Sequence, residues 1–433
     1  ALYTNSTASN NTAVGKSALQ LNTTGTQNVA VGKTALDANT TGYYNTAVGV
    51  DALGANTTGN SNTAIGWNAL LLNQSAAGNV AVGDDALRAT TTSSNVAVGT
   101  DAARTNTTGS QFVAVGNGAL ADQTTGNYNV AVGHATLGDV TTGSSNVAMG
   151  QFALRDITTQ SNNTAVGHYA LENSTQNNLT AVGYKALNAN TTGYHHTAFG
   201  YHAAKSTTTG YDITAIGHLA LENTTTGNQL VALGSFALRN NTTGHGNVAL
   251  GRAALNDNTT GFQNVAVGNN VLENNTTGNL NVGLGQSSLQ QNTTGGSNTA
   301  LGYSCLVSNT TGSSNVAVGH YTMYDHTTGA YNTALGHQAL RKSTTGGNNT
   351  ALGKDSMFTN ETGSNNTAVG YGTLYYATGN DNVAVGNAAS YSATSGHSNT
   401  ALGRMALYAN QTSNYNVAVG YQAVYNVTTG DRQ

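Results

Sequence analysis

One pattern of polar and apolar positions governs the chain: a polar residue, a β-branched residue, alanine, a larger apolar residue, glycine. It first reads Asn11-Thr12-Ala13-Val14-Gly15, returns as Asn28-Val29-Ala30-Val31-Gly32 and closes as Asn416-Val417-Ala418-Val419-Gly420. The spacing is 17 residues, with three steps of 16: Gly83 to Gly99, Gly167 to Gly183 and Gly370 to Gly386. A short period repeated 25 times predicts a solenoid, in which the coil and not the domain is the folding unit.

Coil positions are numbered from the Asn, so that Asn11 is position 1 and Gly15 position 5. Position 1 is Asn in 20 of 25 coils, which fits a stacked amide ladder and also a turn residue tolerant of left-handed backbone. The exceptions are Phe112, Leu179, His196, Ile213 and Leu230. Positions 2 to 4 alternate and are β-branched at position 2, which predicts a short strand. A small residue at position 8 and usually Leu at position 9, as in Ala18-Leu19, form a second short segment. One short helix per coil is the competing expectation, but the segment is too brief for a stable helix. Asn-Thr-Thr-Gly, as at Asn22-Thr23-Thr24-Gly25, supplies turn chemistry. The expected fold is all-β, a parallel β-solenoid (β-roll) of about 25 coils. Residues 1–10 read as a lead-in or cap, 11–425 as a single continuous array and 426–433 as a partial terminal repeat.

Side-chain direction sharpens this picture. Positions 2 and 4 point one way and position 3 the other. Position 4 is always apolar, and position 3 is Ala in all coils but one, where Gly283 stands. A strand with one face in water would carry polar residues there, so both faces are expected to be occupied. One is the coil interior; the other is expected to meet another chain.

Composition agrees. Charged residues make up 7% of the 433 and proline is absent, as suits stacked strands that need every amide donor. The net charge of −4 leaves no basic stripe for nucleic acid and no membrane-binding patch. No apolar run is long enough to span a bilayer. The chain starts at Ala1, as expected of a protein that has lost a leader peptide or of a piece of a longer one.

Candidate chemistry is sparse. Asp84-Asp85 and the scattered Glu172, Glu222, Glu273 and Glu361 read as solvated turn residues. Cys305, the only cysteine, stands where Ala and Ser stand elsewhere and reads as a small filler. His134, His168, His218, His320 and His337 follow the repeat glycine at an exposed position, and two such imidazoles fall short of a metal site. No catalytic residue, cofactor or metal is expected. Asn-Thr-Thr is a glycosylation sequon at Asn22, Asn39, Asn56, Asn106, Asn190, Asn241, Asn258, Asn275, Asn292 and Asn309, which would form an outward row of sugar sites; good turn chemistry alone is the favoured account of the motif. The 21 tyrosines fall largely in turns and at position 6, where they could contact sugars or cover coil edges. Three successive exceptions at position 1, His196, Ile213 and Leu230, form a candidate apolar contact strip.

The Asn-Thr-Ala-Val-Gly-x-x-Ala-Leu phrase resembles the head repeat of YadA-like trimeric autotransporter adhesins, and its Asn-Thr-Thr-Gly turns are similar to repeats of phage tail fibres. The resemblance covers the chain from about Asn11 to about Asn426. It implies a left-handed roll, lateral packing into a homotrimer or filament, and a location outside the cell, on its surface or in a virion tail fibre. The expected function is a non-catalytic structural fibre serving adhesion or display. The alternative is a ligand-binding adhesin recognising carbohydrate or host matrix through its Tyr-, Asn- and Thr-rich turns. Ice binding is less favoured, because position 2 alternates irregularly between Thr and Val.

Overall fold

The computed structural model describes residues 1–426, 428 and 430. It contains 25 short strands, from β1 (Thr12–Val14) to β25 (Val417–Val419), and no helix among the described residues. The chain is an all-β parallel solenoid with a 17-residue period. The Ala-Leu segment is a tight turn and not a helix: positions 7 and 9 take left-handed backbone, as at Ser17 (φ 61°) and Leu19 (φ 51°), a conformation that cannot propagate a right-handed helix.

The chain divides into two compact units, Ala1–Ile213 and Thr214–Gln433. In the first, strands from β1 to β12 (His196–Phe199) pair in parallel with their sequence neighbours, Ala13 opposite Ala30 and Ala181 opposite Ala198. In the second, β14 (Leu230–Leu233) to β25 do the same, Ala232 opposite Ala249 and Ala401 opposite Ala418. Within each unit the paired strand residues therefore stack on their equivalents, and the repeat becomes a set of columns. Residues 1–10 lie in register with the rear half of the first full coil, Leu2 N donating to Ala18 O (3.1 Å) and Thr4 N to Gln20 O (3.1 Å). The partial repeat expected at 426–433 lies largely outside the described residues.

The coil interior is thin. Alanines of position 3 (Ala30, Ala249) and leucines of position 9 (Leu36, Leu255) are fully buried. The exception at position 3 confirms how little room there is: a Cβ on Gly283 would stand 2.4 Å from Val271 Cγ1, where most coils carry only Ala or another small residue. The apolar residue of position 4 points outward instead. Val14, Leu335 and Val419 are 57%, 50% and 65% exposed. Of the two strand faces, alanine therefore marks the interior of the coil, and the bulky apolar residue marks its outer face.

Two buried amide columns line the inside. At position 1, Asn45 accepts its place through its own N–H, which donates to Asn28 Oδ1 (2.9 Å), while Asn45 Nδ2 donates to Gly59 O (2.8 Å). At position 12, Asn39 Nδ2 donates to Asn22 Oδ1 (2.8 Å) and to Gly42 O (3.0 Å), three residues ahead. Buried amides satisfied on both sides in this way rigidify the coil. The first ladder was expected; the second was not.

Position 17 also takes left-handed backbone, whatever its residue: Gln27 (φ 58°), Tyr44 (φ 58°), Gln111 (φ 57°) and Gly78 (φ 68°). Left-handed backbone costs an ordinary residue about 1–2 kcal/mol and asparagine less. Gln111 is exposed there. Gln111→Asn is expected to raise stability by about 0.5–1 kcal/mol, and Gln111→Val to lower it by about 1–2 kcal/mol, read from urea midpoints.

Candidate interaction surfaces

The ten sequon asparagines do not face outward. Each is fully buried, and Asn258, Asn275 and Asn292 form a continuous amide chain with Nδ2-to-Oδ1 distances of 2.8 Å. The Nδ2 that would carry a sugar is spent on the neighbouring coil and on the glycine carbonyl of its own turn. A glycan there is incompatible with the folded column.

His196, Ile213 and Leu230 are also buried rather than exposed. Position 1 shares the inward face with position 3, so these residues replace Asn inside the coil. His196 is 2% exposed, and neither ring nitrogen has a hydrogen-bond partner in good geometry. Burial pushes its pKa down to about 4, only partly offset by the Gly210 carbonyl and by Asp212. His326 replaces Asn at position 12 and keeps the turn cap, Nε2 lying 2.8 Å from Gly329 O. A carbonyl can only accept, so this nitrogen carries the proton. Burial lowers the pKa of His326 as well.

Reactive chemistry is not assembled among the described residues. Burial raises the Cys305 thiol, which donates to Gly319 O, so the sulfur stays a protonated filler. No three His, Cys, Asp or Glu residues come together as a metal-binding group among the described residues. His320 and His337 stack with centroids 5.5 Å apart, occupied with each other as rings.

Two surfaces remain. The first is the outer strand face, where position 4 presents residues such as Ile65, Met149, Phe199, Leu284 and Leu402, all classed among the exposed large apolar side chains. With strands about 4.8 Å apart and about 10 Å long, the roughly dozen coils of one unit offer on the order of 500 Å². That is at the upper end of what a monomer leaves open to water.

The second surface is a set of aromatic columns. In the first unit, position 6 and 7 rings stack from coil to coil, as in Tyr184–Tyr201 (5.5 Å) and Phe152–Tyr169 (5.2 Å). In the second, position 10 carries a longer column of Phe358, Tyr375, Tyr391, Tyr408 and Tyr425, with centroids 5.0–5.4 Å apart. These columns run largely where Asn is missing at position 12, at Val140, Ile157 and Ser174 and again at Ser343, Ala377 and Ala393. An outer ring stack, at about 0.5–1.5 kcal/mol per pair, stands in for the inner amide stack. The sequence held the signal, since positions 10 of the coils before Tyr324 contain no aromatic residue. No protein-family model matches the chain, and no curated protein matches it.

Proposed function

We propose that the chain is a non-catalytic structural element of an extracellular fibre, packed side by side with further copies of itself and serving adhesion or display. The observation that carries this reading is the outer strand face. Position 4 places an apolar side chain on the outside of every coil, although nothing in the coil's own packing requires one there. A selection for solubility alone would favour charges or Lys at such positions. Copies meeting along this face would withdraw one column of Val, Leu and Ile from water, at about 25 cal/mol per Å². A closed three-chain bundle is the arrangement that leaves no such face uncovered, and it is the one the repeat's resemblance implies.

Sedimentation at micromolar concentration tests this directly. The unmodified chain is expected to sediment as an oligomer, and Leu335→Lys combined with Leu402→Lys is expected to shift it to the 43.9 kDa monomer with its circular dichroism unchanged. A monomer for the unmodified chain would remove the reading.

A further inference from the structure

We propose that the aromatic column at position 10 is a binding strip for an elongated, planar, conjugated anion that lies lengthwise along it. The rings of Phe358, Tyr375, Tyr391, Tyr408 and Tyr425 are near-parallel, with interplanar angles of 6–22°, and all are half-buried. Their faces are turned toward one another, so ring edges and hydroxyls point outward, with Tyr376 already packed across those of Tyr375 and Tyr391 (centroids 4.7 and 5.5 Å) in an edge-to-face arrangement. A sugar, which stacks on an aromatic face, finds little free face here. A flat conjugated molecule lying along the column meets the positive ring edges with its own π-face, the favoured edge-to-face arrangement. Five coils of regularly spaced edges fit a rod-shaped ligand better than a compact one.

Charge at the end of the column fixes the sign of the ligand. Arg341 stands in the same column, its guanidinium carbon 5.6 Å from the Phe358 ring and 5.8 Å from that of Tyr324. It joins no salt bridge among the described residues, and its Nε is buried without a hydrogen-bond partner. Lys342, next to it in the chain and exposed, stands 6.0 Å from the Phe358 ring centroid. The phenols of Tyr375 and Tyr391 are raised above their ordinary range, by burial first and by neighbouring phenols next, with Asp355 adding to the effect at Tyr375, so the rings themselves stay uncharged at neutral pH. An anionic group at Arg341 with its aromatic body over Phe358 to Tyr408 satisfies both features.

Congo red, a long flat disulfonate, is the probe, titrated against the full chain and followed by its absorbance shift. Saturable binding is expected. Arg341→Gln is expected to weaken it about tenfold, the size of one charge-assisted contact, while Tyr391→Phe leaves it within twofold. Tyr391→Ser with Tyr408→Ser is expected to abolish it. The cationic dye thioflavin T is expected to bind more weakly than Congo red and to be indifferent to Arg341→Gln. Absence of a saturable shift, or Congo red binding unchanged by Arg341→Gln, overturns the proposal. So does binding that survives the double serine variant. Should that variant lose its circular dichroism, the Arg341→Gln comparison, which removes no ring, decides alone.

Discussion

Gly66→Ala is expected to cost about 3–5 kcal/mol, enough to unravel the coils around it. Two effects add. The backbone at Gly66 has φ +136°, outside the range of residues that carry a Cβ. A Cβ would also lie 2.3 Å from the carbonyl oxygen of Gly83 and 2.6 Å from its carbon. Both are backbone atoms of the next coil, so no side chain can swing away, and relief requires the coils to separate. Because stability in a solenoid is a sum over neighbouring coils, one widened step removes the ladder on both sides. Gly78, in the same coil, is the control: its φ is +68° and a Cβ there meets nothing within 4 Å. Gly78→Asn is expected to leave the urea midpoint nearly unchanged. Equal loss from both substitutions would show that coil spacing is far softer than the structure implies.

Acid is expected to weaken the first unit through His196. Its folded pKa of about 4 lies below the ordinary 6.5. The neutral ring is therefore favoured in the folded coil, while the unfolded chain takes up the proton near pH 6.5. Above that pH both states are neutral and the group contributes nothing. As pH falls from 6.5 toward 4 the unfolded state gains protons first, and stability drops by about 3 kcal/mol in all. The titratable groups facing the ring are Asp212, which raises its pKa, and His195, which lowers it; the two lie 2.9 Å apart, and burial outweighs both. His196→Asn should remove this slope and raise stability, since Asn at position 1 donates to the carbonyl 14 residues ahead, as Asn45 does to Gly59. Urea melts at pH 7 and pH 4.5 would show it: a pH dependence identical in the two proteins would place His196 in contact with water.

The period, the strand and the turn were all legible, because each is a local demand repeated until chance is excluded. Gly15 and its equivalents announce a backbone bend, and Thr12 and Val29 announce strand. Which face was which could not be read from position 3 against position 4, since Ala suits a crowded interior and a crowded interface alike. The deciding clue was position 1. It shares a face with position 3 by the period of two, and Asn beside Ala is a polar residue pointing the same way. Taken for a turn residue, it concealed that its face was the interior, and it made His196, Ile213 and Leu230 look like a surface strip. The sequons failed for a related reason. Asn in Asn-Thr-Thr-Gly was a surface residue by composition, but stacking gives amides such as Asn258 and Asn275 a partner above and below, and a satisfied amide can be buried.

Position 12 has a further consequence, for the length of the turn. Where it is Asn, the side chain reaches three residues ahead, Asn73 Oδ1 accepting from Ala76 N (3.0 Å) and Asn360 Oδ1 from Gly363 N (2.8 Å). At Ser174 and Thr90 the shorter arm reaches only two: Ser174 Oγ accepts from Gln176 N (3.2 Å) and Thr90 Oγ1 from Thr92 N (3.3 Å). Thr90 and Ser174 stand in two of the three 16-residue coils, and Ala377, with no arm at all, stands in the third. Where it is Asn, this side chain thus acts as a ruler that holds the following loop at full length. A coil can lose a residue without shifting its neighbours only where that ruler has already been shortened, and so the array can vary in length one residue at a time while every column stays aligned.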